Sequence, residues 1–257
     1  MIATVVLAAG RSERFGSPKL LAEWWGRPLV EHALTIAPPG GIKVAVLGSA
    51  TVKLRPLFLA HGFQCIRNPR PARGQASSLR LALDAMPEQV EAVLVLLGDA
   101  AAVPAPVVER VLTAYRTADR AVSAAYDGRN APPVVIPRAD WDRIPAEGDK
   151  PGEALDPLPV DVTDLIAGGE DVDTPDDLFA LAARRAGVTL LEPATTEEVS
   201  ARLEDAAPFA VRLRRRSHAN DSRPALSPQR LETEAIEHGR GCAVIARVGD
   251  EYAALLG

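Results

Sequence analysis

The chain has 257 residues, a formal net charge of −5 and a pI near 5.5. With 47% hydrophobic and 25% charged residues it has the balance of a globular protein, long enough for one large domain or a medium domain with a small companion. The acidic charge excludes a general nucleic-acid binder, which needs a strongly basic face, so a polyanionic ligand must be held by a local cluster of cations. Cys65 and Cys242 are far apart, lack metal-ligand spacing and read as small apolar residues, and nothing points to an oxidising compartment. The chain enters an apolar strand at once and contains no apolar run of about 18 residues. The expectation is a cytoplasmic protein with no membrane segment.

Strand and helix signals alternate from the start. Residues 2–8 form a continuous apolar run, as in a strand covered on both faces. Residues 29–36 place Leu29, Ala33 and Ile36 on one helical stripe, which Pro38-Pro39-Gly40-Gly41 ends. An apolar strand follows at 42–47, then a helix at 51–61, a short strand at 64–67 and an amphipathic helix at 77–86 with Leu79, Ala82, Leu83 and Met86 in register. Residues 92–97 are the clearest buried strand; 106–115 read as helix, and 121–125 and 134–136 as strands. Residues 140–159 are rich in proline, glycine and charge and read as loop around one short helix. In 173–186, Thr174 suits an N-cap, Pro175 the first helical position and Gly187 the stop. This order predicts an α/β, Rossmann-like, mostly parallel sheet flanked by helices. The tail from 187 to 257 differs: a helical piece at 196–204, a strand at 210–213, and a hairpin of 242–248 with 251–256 around Gly249-Asp250. It is expected to be a small α+β domain beside a main domain over 1–186.

The chemistry concentrates after the first strand. Leu7-Ala8-Ala9-Gly10-Arg11-Ser12 leads to Arg14-Phe15-Gly16 and then Lys19. Gly10 and Gly16 let a backbone approach an anion closely and adopt positive φ, and successive N–H groups in such a loop make an anion nest. Arg11 and Arg14 bring planar forks for phosphate oxygens and Lys19 a compact charge; lysine stands at only four positions, so Lys19 is a marked choice. The spacing matches neither the P-loop nor the dinucleotide fingerprint. Gly74, Ser77 and Ser78 open a helix, where Ser77 suits an N-cap and the helix end suits a polar ligand edge. Asp99 follows the apolar strand 92–97, poised either to cap a turn or to offer a hard oxygen to Mg²⁺. The four histidines show no metal spacing, and the arginines at 212 and 214–216 read as a solvated face that could also hold a phosphate.

The stretch LAAGRSERFGSPKL resembles the signature of the MobA-like NTP transferase family, over roughly residues 1–186. The resemblance implies a nucleotidyltransferase in which a phosphorylated acceptor attacks the α-phosphorus of an NTP and pyrophosphate leaves. It assigns the nucleotide to Leu7, Ala8, Ala9, Gly10, Arg11, Ser12, Arg14, Phe15, Gly16, Lys19, Gly74, Ser77 and Ser78. It gives catalysis to Lys19, Arg11 and Asp99, and Mg²⁺ to Asp99 and Asp173, the latter in a segment similar to the family's D-I-D-T-P-E-D-L, with Asp171 as the alternative. Acids at 171–177 would also complement a helix dipole. Leu-Ala-Ala-Gly is closer to the cytidylyltransferases than to the guanylyltransferases, so the implied donor is CTP and the implied acceptor molybdopterin. Two departures concern the acceptor side. Residues 128–134 lack the family's histidine, and Ala100 replaces the usual Gln or Met; Gly148-Asp149-Lys150 falls where relatives carry a similar acceptor-side loop. Two other readings are a sugar-phosphate nucleotidyltransferase and a non-catalytic cofactor chaperone that serves an apo-molybdoenzyme.

Overall fold

The computed structural model describes residues 1–165 apart from 13, 14, 16, 17, 25, 26, 49 and 50, together with the strands 189–191, 211–215, 242–248 and 251–256. The chain forms two compact units, Met1–Asp173 and Thr174–Gly257. The expected helices at 173–186 and 196–204, and with them Asp171 and Asp173, lie outside the described residues.

In the first unit the elements are β1 (Ile2–Ala8), a small ribbon of β2 (Glu23–Trp24) and β3 (Arg27–Pro28), α1 (Leu29–Thr35), β4 (Lys43–Leu47), α2 (Thr51–Ala60), β5 (Gln64–Arg67), α3 (Gln75–Asp84), β6 (Ala92–Leu97), α4 (Ala105–Tyr115), β7 (Val122–Tyr126), β8 (Arg129–Pro137) and β9 (Leu158–Asp161). Seven strands make one sheet in the order β5-β4-β1-β6-β8-β7-β9. The pairs β1–β4, β1–β6, β4–β5 and β7–β9 are parallel, and β8 runs against both β6 and β7. The mostly parallel α/β expectation holds.

Strand alternation explains why helices cover both faces. Val6, Ala8, Ala45, Leu47, Leu94 and Leu96 pack on one side with Val30 and Leu34 of α1, Phe58 of α2 and Val107 and Val111 of α4. Val5, Leu7, Val44, Val46, Val93 and Val95 pack on the other with Leu79, Ala82 and Leu83 of α3 and with Trp141. Both residue sets of each strand are buried, which is why β1, β4 and β6 read as continuous apolar runs.

Three details differ from the sequence expectation. First, α3 begins at Gln75 with Gly74 at its N-cap, so Ser77 lies inside the helix and donates its hydroxyl proton to the Gly74 carbonyl at 2.8 Å. Second, β8 is nine residues long and antiparallel; Asp127 (φ 48°) and Gly128 (φ 75°) form the tight turn from β7, a left-handed pair that an Asp-Gly dipeptide favours. Third, 140–159 holds two 3-10 turns, Arg138–Arg143 and Pro151–Leu155, and runs into β9 at the sheet edge, where Pro159 removes no needed ladder donor.

The second unit contains β10 (Thr189–Leu191), β11 (Val211–Arg215), β12 (Cys242–Val248) and β13 (Glu251–Leu256) in a sheet ordered β10-β12-β13-β11. The expected hairpin is β12–β13, with Val248 opposite Glu251; the short parallel strand β10 was not anticipated. No described helix is long and apolar enough to cross a membrane.

Tyr126 ends β7 buried, its hydroxyl donating to the Pro132 carbonyl at 3.2 Å, and burial pushes its pKa from 10.0 up to about 12. The neutral phenol is the form the fold favours. Its contribution is therefore complete below the unfolded value and is lost as pH rises through the folded one. Denaturant titrations at about pH 9 and about pH 11 should show a smaller stability loss for Tyr126→Phe than for the wild type.

Candidate active site

The sheet order fixes the site. After β1 the chain steps outward to β4 and β5, then crosses to the other side of β1 for β6, so the carboxyl ends of β1 and β6 face a crevice where the direction of winding switches. A cleft of about 570 Å³ opens there. Leu7, Ala8, Ala9, Gly10, Arg11, Ser12 and Lys19 line it from the β1 side, Gly74, Gln75 and Ser78 from the start of α3, and Leu97 and Asp99 from the end of β6. Leu20, Pro71, Ala72 and Asp149 complete the wall.

Local chemistry shapes the loop after β1. Gly10 does not carry the positive φ expected of it; Ser12 does, at 55°. Ser12 ties the loop down from both of its ends. Its hydroxyl oxygen accepts the Lys19 N–H at 3.2 Å and its carbonyl accepts the Phe15 N–H at 3.1 Å. The loop also needs a glycine across from it, because a side chain at Gly48 would overlap the backbone of Ala9. A Cβ at Gly10, by contrast, would meet nothing within 4 Å.

At the floor, Lys19 Nζ lies 2.6 Å from Asp99 Oδ2, with side chains only 12% and 22% exposed. A pair this well covered is screened far less by salt than a surface pair. Asp99 sits in a tight turn: Gly98 N–H donates to the Leu7 carbonyl at 2.9 Å and Ala101 N–H to the Asp99 carbonyl at 2.8 Å. The last residues of β1 thus hold the turn that carries the carboxylate. Among the described residues no group of three or more potential metal ligands occurs. One carboxylate at a phosphate-sized cleft is nonetheless a fitting donor set for Mg²⁺, which takes one or two protein carboxylates and completes its shell with substrate phosphates and water.

The rim beside α3 is built from distant segments. Ala76 N–H donates to the Gly148 carbonyl at 2.8 Å, Gly148 N–H donates to the Arg73 carbonyl at 2.9 Å, and Arg73 pairs with Glu147. Gly74, at φ 88°, has no room for a side chain, since Gly148 and the Asp149 carboxylate press on it. The α3 N-terminus is therefore already engaged through Ala76. Beneath it, the buried Asn68 binds Ser77 and Ser78. Of the residues expected to hold the nucleotide, Phe15 and Ser77 stand outside the cleft wall, and Arg14 and Gly16 lie outside the described residues. Sequence reasoning missed Asn68 and Gln75. An asparagine directly after a strand, ahead of a Gly-x-x-Ser-Ser helix start, is the signal that could have found Asn68. Cys65, the cysteine whose side chain is described, has its thiol pushed up by burial, as suits a packing residue.

An open α/β sheet with a polar crevice at its switch point defines the class of doubly wound α/β proteins, which take their ligands in that crevice. Within that class, the model of the MobA-like NTP transferase domain matches residues 4–155, and the chain belongs to this family. It is 32% identical over 120 residues to the bifunctional protein GlmU of Koribacter versatilis, which covers 44% of this chain and 25% of that protein. Over 53 residues it is 42% identical to a probable molybdenum cofactor guanylyltransferase of Bacillus cereus, covering 21% and 26%. The matches span about a quarter of these curated relatives. Among solved structures, Rv0371c of Mycobacterium tuberculosis superposes with a TM-score of 0.60 at 24% identity over 70% of this chain and 97% of that one. The same protein in complex with manganese gives 0.57 at 22%, over 70% and 97%. At these identities the likeness is one of fold.

The two rim and loop glycines should behave oppositely. Gly74→Ala forces a left-handed residue against backbone and is expected to lower stability by about 1–3 kcal/mol in chemical denaturation. Gly10→Ala, pointing into open space, should leave the denaturation midpoint unchanged.

Proposed function

We propose that the protein is a metal-dependent nucleotidyltransferase that moves a nucleoside monophosphate from an NTP, CTP first among them, to a phosphorylated acceptor of the molybdopterin kind. The observation that carries this reading is the convergence of Lys19 and Asp99 at the crevice between β1 and β6, in a chain whose family match spans that whole region. The manganese complex of the fold relative supports a divalent cation. The assignment of the donor base rests on Leu7-Ala8-Ala9-Gly10. The guanylyltransferase relative favours GTP as the second candidate.

In this reading an acceptor phosphate oxygen attacks the α-phosphorus in line, the bond from that phosphorus to the bridging oxygen breaks, and pyrophosphate leaves with the electron pair. Little covalent help is needed; positioning and charge neutralisation do the work. A divalent cation, when bound, would be held by Asp99, with Asp173 as its proposed second ligand, and would neutralise phosphate charge. Lys19 gives up its partner Asp99 for phosphate oxygens and balances the charge that builds on the departing pyrophosphate. Arg11, exposed on the cleft wall, holds the outer phosphates, with Arg14 proposed beside it. The backbone of Ala8, Ala9 and Gly10 lines the approach, so an oxygen can come close where side chains are small.

Pyrophosphate release should be measured with each of the four NTPs in the presence of molybdopterin and Mg²⁺. Release with CTP is expected, and EDTA should abolish it. Lys19→Ala and Asp99→Ala are each expected to lower the rate by about 10²–10³-fold, the usual loss when one preorganised charge partner of the transition state is removed. Full activity in a folded Lys19→Ala protein would overturn the assignment.

A further inference from the structure

Asn68, directly after β5, is 3% exposed, and both polar atoms of its side chain are engaged. Its N–H donates to the Leu47 carbonyl at 2.8 Å, and its Oδ1 accepts the Arg70 N–H at 2.8 Å. That contact fixes which end of the amide is oxygen, because only an acceptor can face a backbone N–H. The two Nδ2 hydrogens then go to Ser77 Oγ at 3.1 Å and Ser78 Oγ at 2.9 Å.

The two serines differ in what they do with their own protons. Ser77 donates to the Gly74 carbonyl and is closed. Ser78 accepts from Asn68, lines the cleft, and among the described residues finds no acceptor for its proton. A hydroxyl has one donor and two acceptor positions, so the amide decides which of them is left over for a ligand.

We propose that Asn68 is a positioning residue that turns the Ser78 hydroxyl into a hydrogen-bond donor aimed into the cleft, where it meets an acceptor atom of the bound nucleotide. Ser77 belongs to the fold. This inference rests on the nucleotidyltransferase reading of the cleft.

Asn68→Asp tests it with almost no change of shape. A carboxylate still accepts from Arg70 but cannot donate, so the Ser78 proton turns back toward it and lone pairs face the ligand. Calorimetric titration of CTP, GTP, ATP and UTP should find at least one that binds the wild type. For that nucleotide Ser78→Ala and Asn68→Asp are each expected to weaken affinity by about tenfold, the worth of one hydrogen bond to a polar ligand atom. Ser77→Ala should stay within about twofold, although it loses a cap-region bond. The double variant Asn68→Asp/Ser78→Ala should bind no worse than Ser78→Ala alone, because Asn68 acts through that hydroxyl. Wild-type affinity in Ser78→Ala, or losses that multiply in the double variant, would overturn the inference and leave the nucleotidyltransferase reading standing. A folded wild type that binds none of the four nucleotides would overturn both. Should Asn68→Asp fail to fold, Asn68→Ala takes its place, and it should weaken affinity only while Ser78 is present; an equal loss in the Ser78→Ala background would overturn the inference.

Discussion

The pairing of β1 between β4 and β6 is the constraint from which the site descends. Ladder hydrogen bonds hold β1 in parallel register on both sides, Val5 opposite Val44 and Val95. That register brings the ends of β1 and β6 level, and Gly98 continues the ladder by donating to Leu7. Lys19 and Asp99 are eighty residues apart in the chain and meet because two strands end side by side. The burial of both faces of these strands is what makes the register costly to change. Slipping β1 by one residue would exchange Val5 and Leu7 with Val6 and Ala8 between two differently shaped cores.

A chain of net charge −5 proposed to handle polyanions must resolve a conflict of charge. Here the resolution is local. The carboxylate at the floor of the cleft is matched by a lysine at 2.6 Å, so the floor does not present an uncompensated anion. In the proposed reading, part of the electrostatic work of holding phosphate is arranged in advance, with Lys19 already positioned by the Ser12 hydroxyl under its backbone. Binding then becomes an exchange of partners between charges that are already in place, which carries less reorganisation than assembling them.

Much of this was legible in the sequence, and for identifiable reasons. Parallel strands buried on both faces appear as apolar runs, so β1, β4 and β6 and the helices between them could be read directly. Leu7 to Ser12 and Lys19, which line the cleft, stood out in the sequence as a loop of glycine, arginine and lysine directly after an apolar run. The structure differed where a local signal competes with a distant partner. Ser77 has the chemistry of a cap, yet Gly74 caps α3 because Gly148, brought from far along the chain, closes on it. The edge strand β9 has an exposed, proline-containing sequence with no periodicity to announce it; only its pairing with β7 makes it a strand. Asn68 carries no catalytic signature; its meaning lies in three side-chain hydrogen bonds, at which its place after a strand and ahead of Gly-x-x-Ser-Ser only hints.

The engagement of the α3 N-terminus by the 147–149 segment has an electrical consequence. Helix starts of this kind usually contribute a positive end to a crevice, but here one of the free amides is consumed by Gly148 and the Asp149 carboxylate rests against Gly74. The cleft is therefore two-ended: cationic groups on the β1 side, an anion on the α3 side. An elongated ligand with its charge at one end feels a torque before it makes any contact. Such a ligand entering back to front would meet repulsion where its charged end faces Asp149 and forgo attraction on the β1 side, so the field of the cleft favours one orientation before fit is tested.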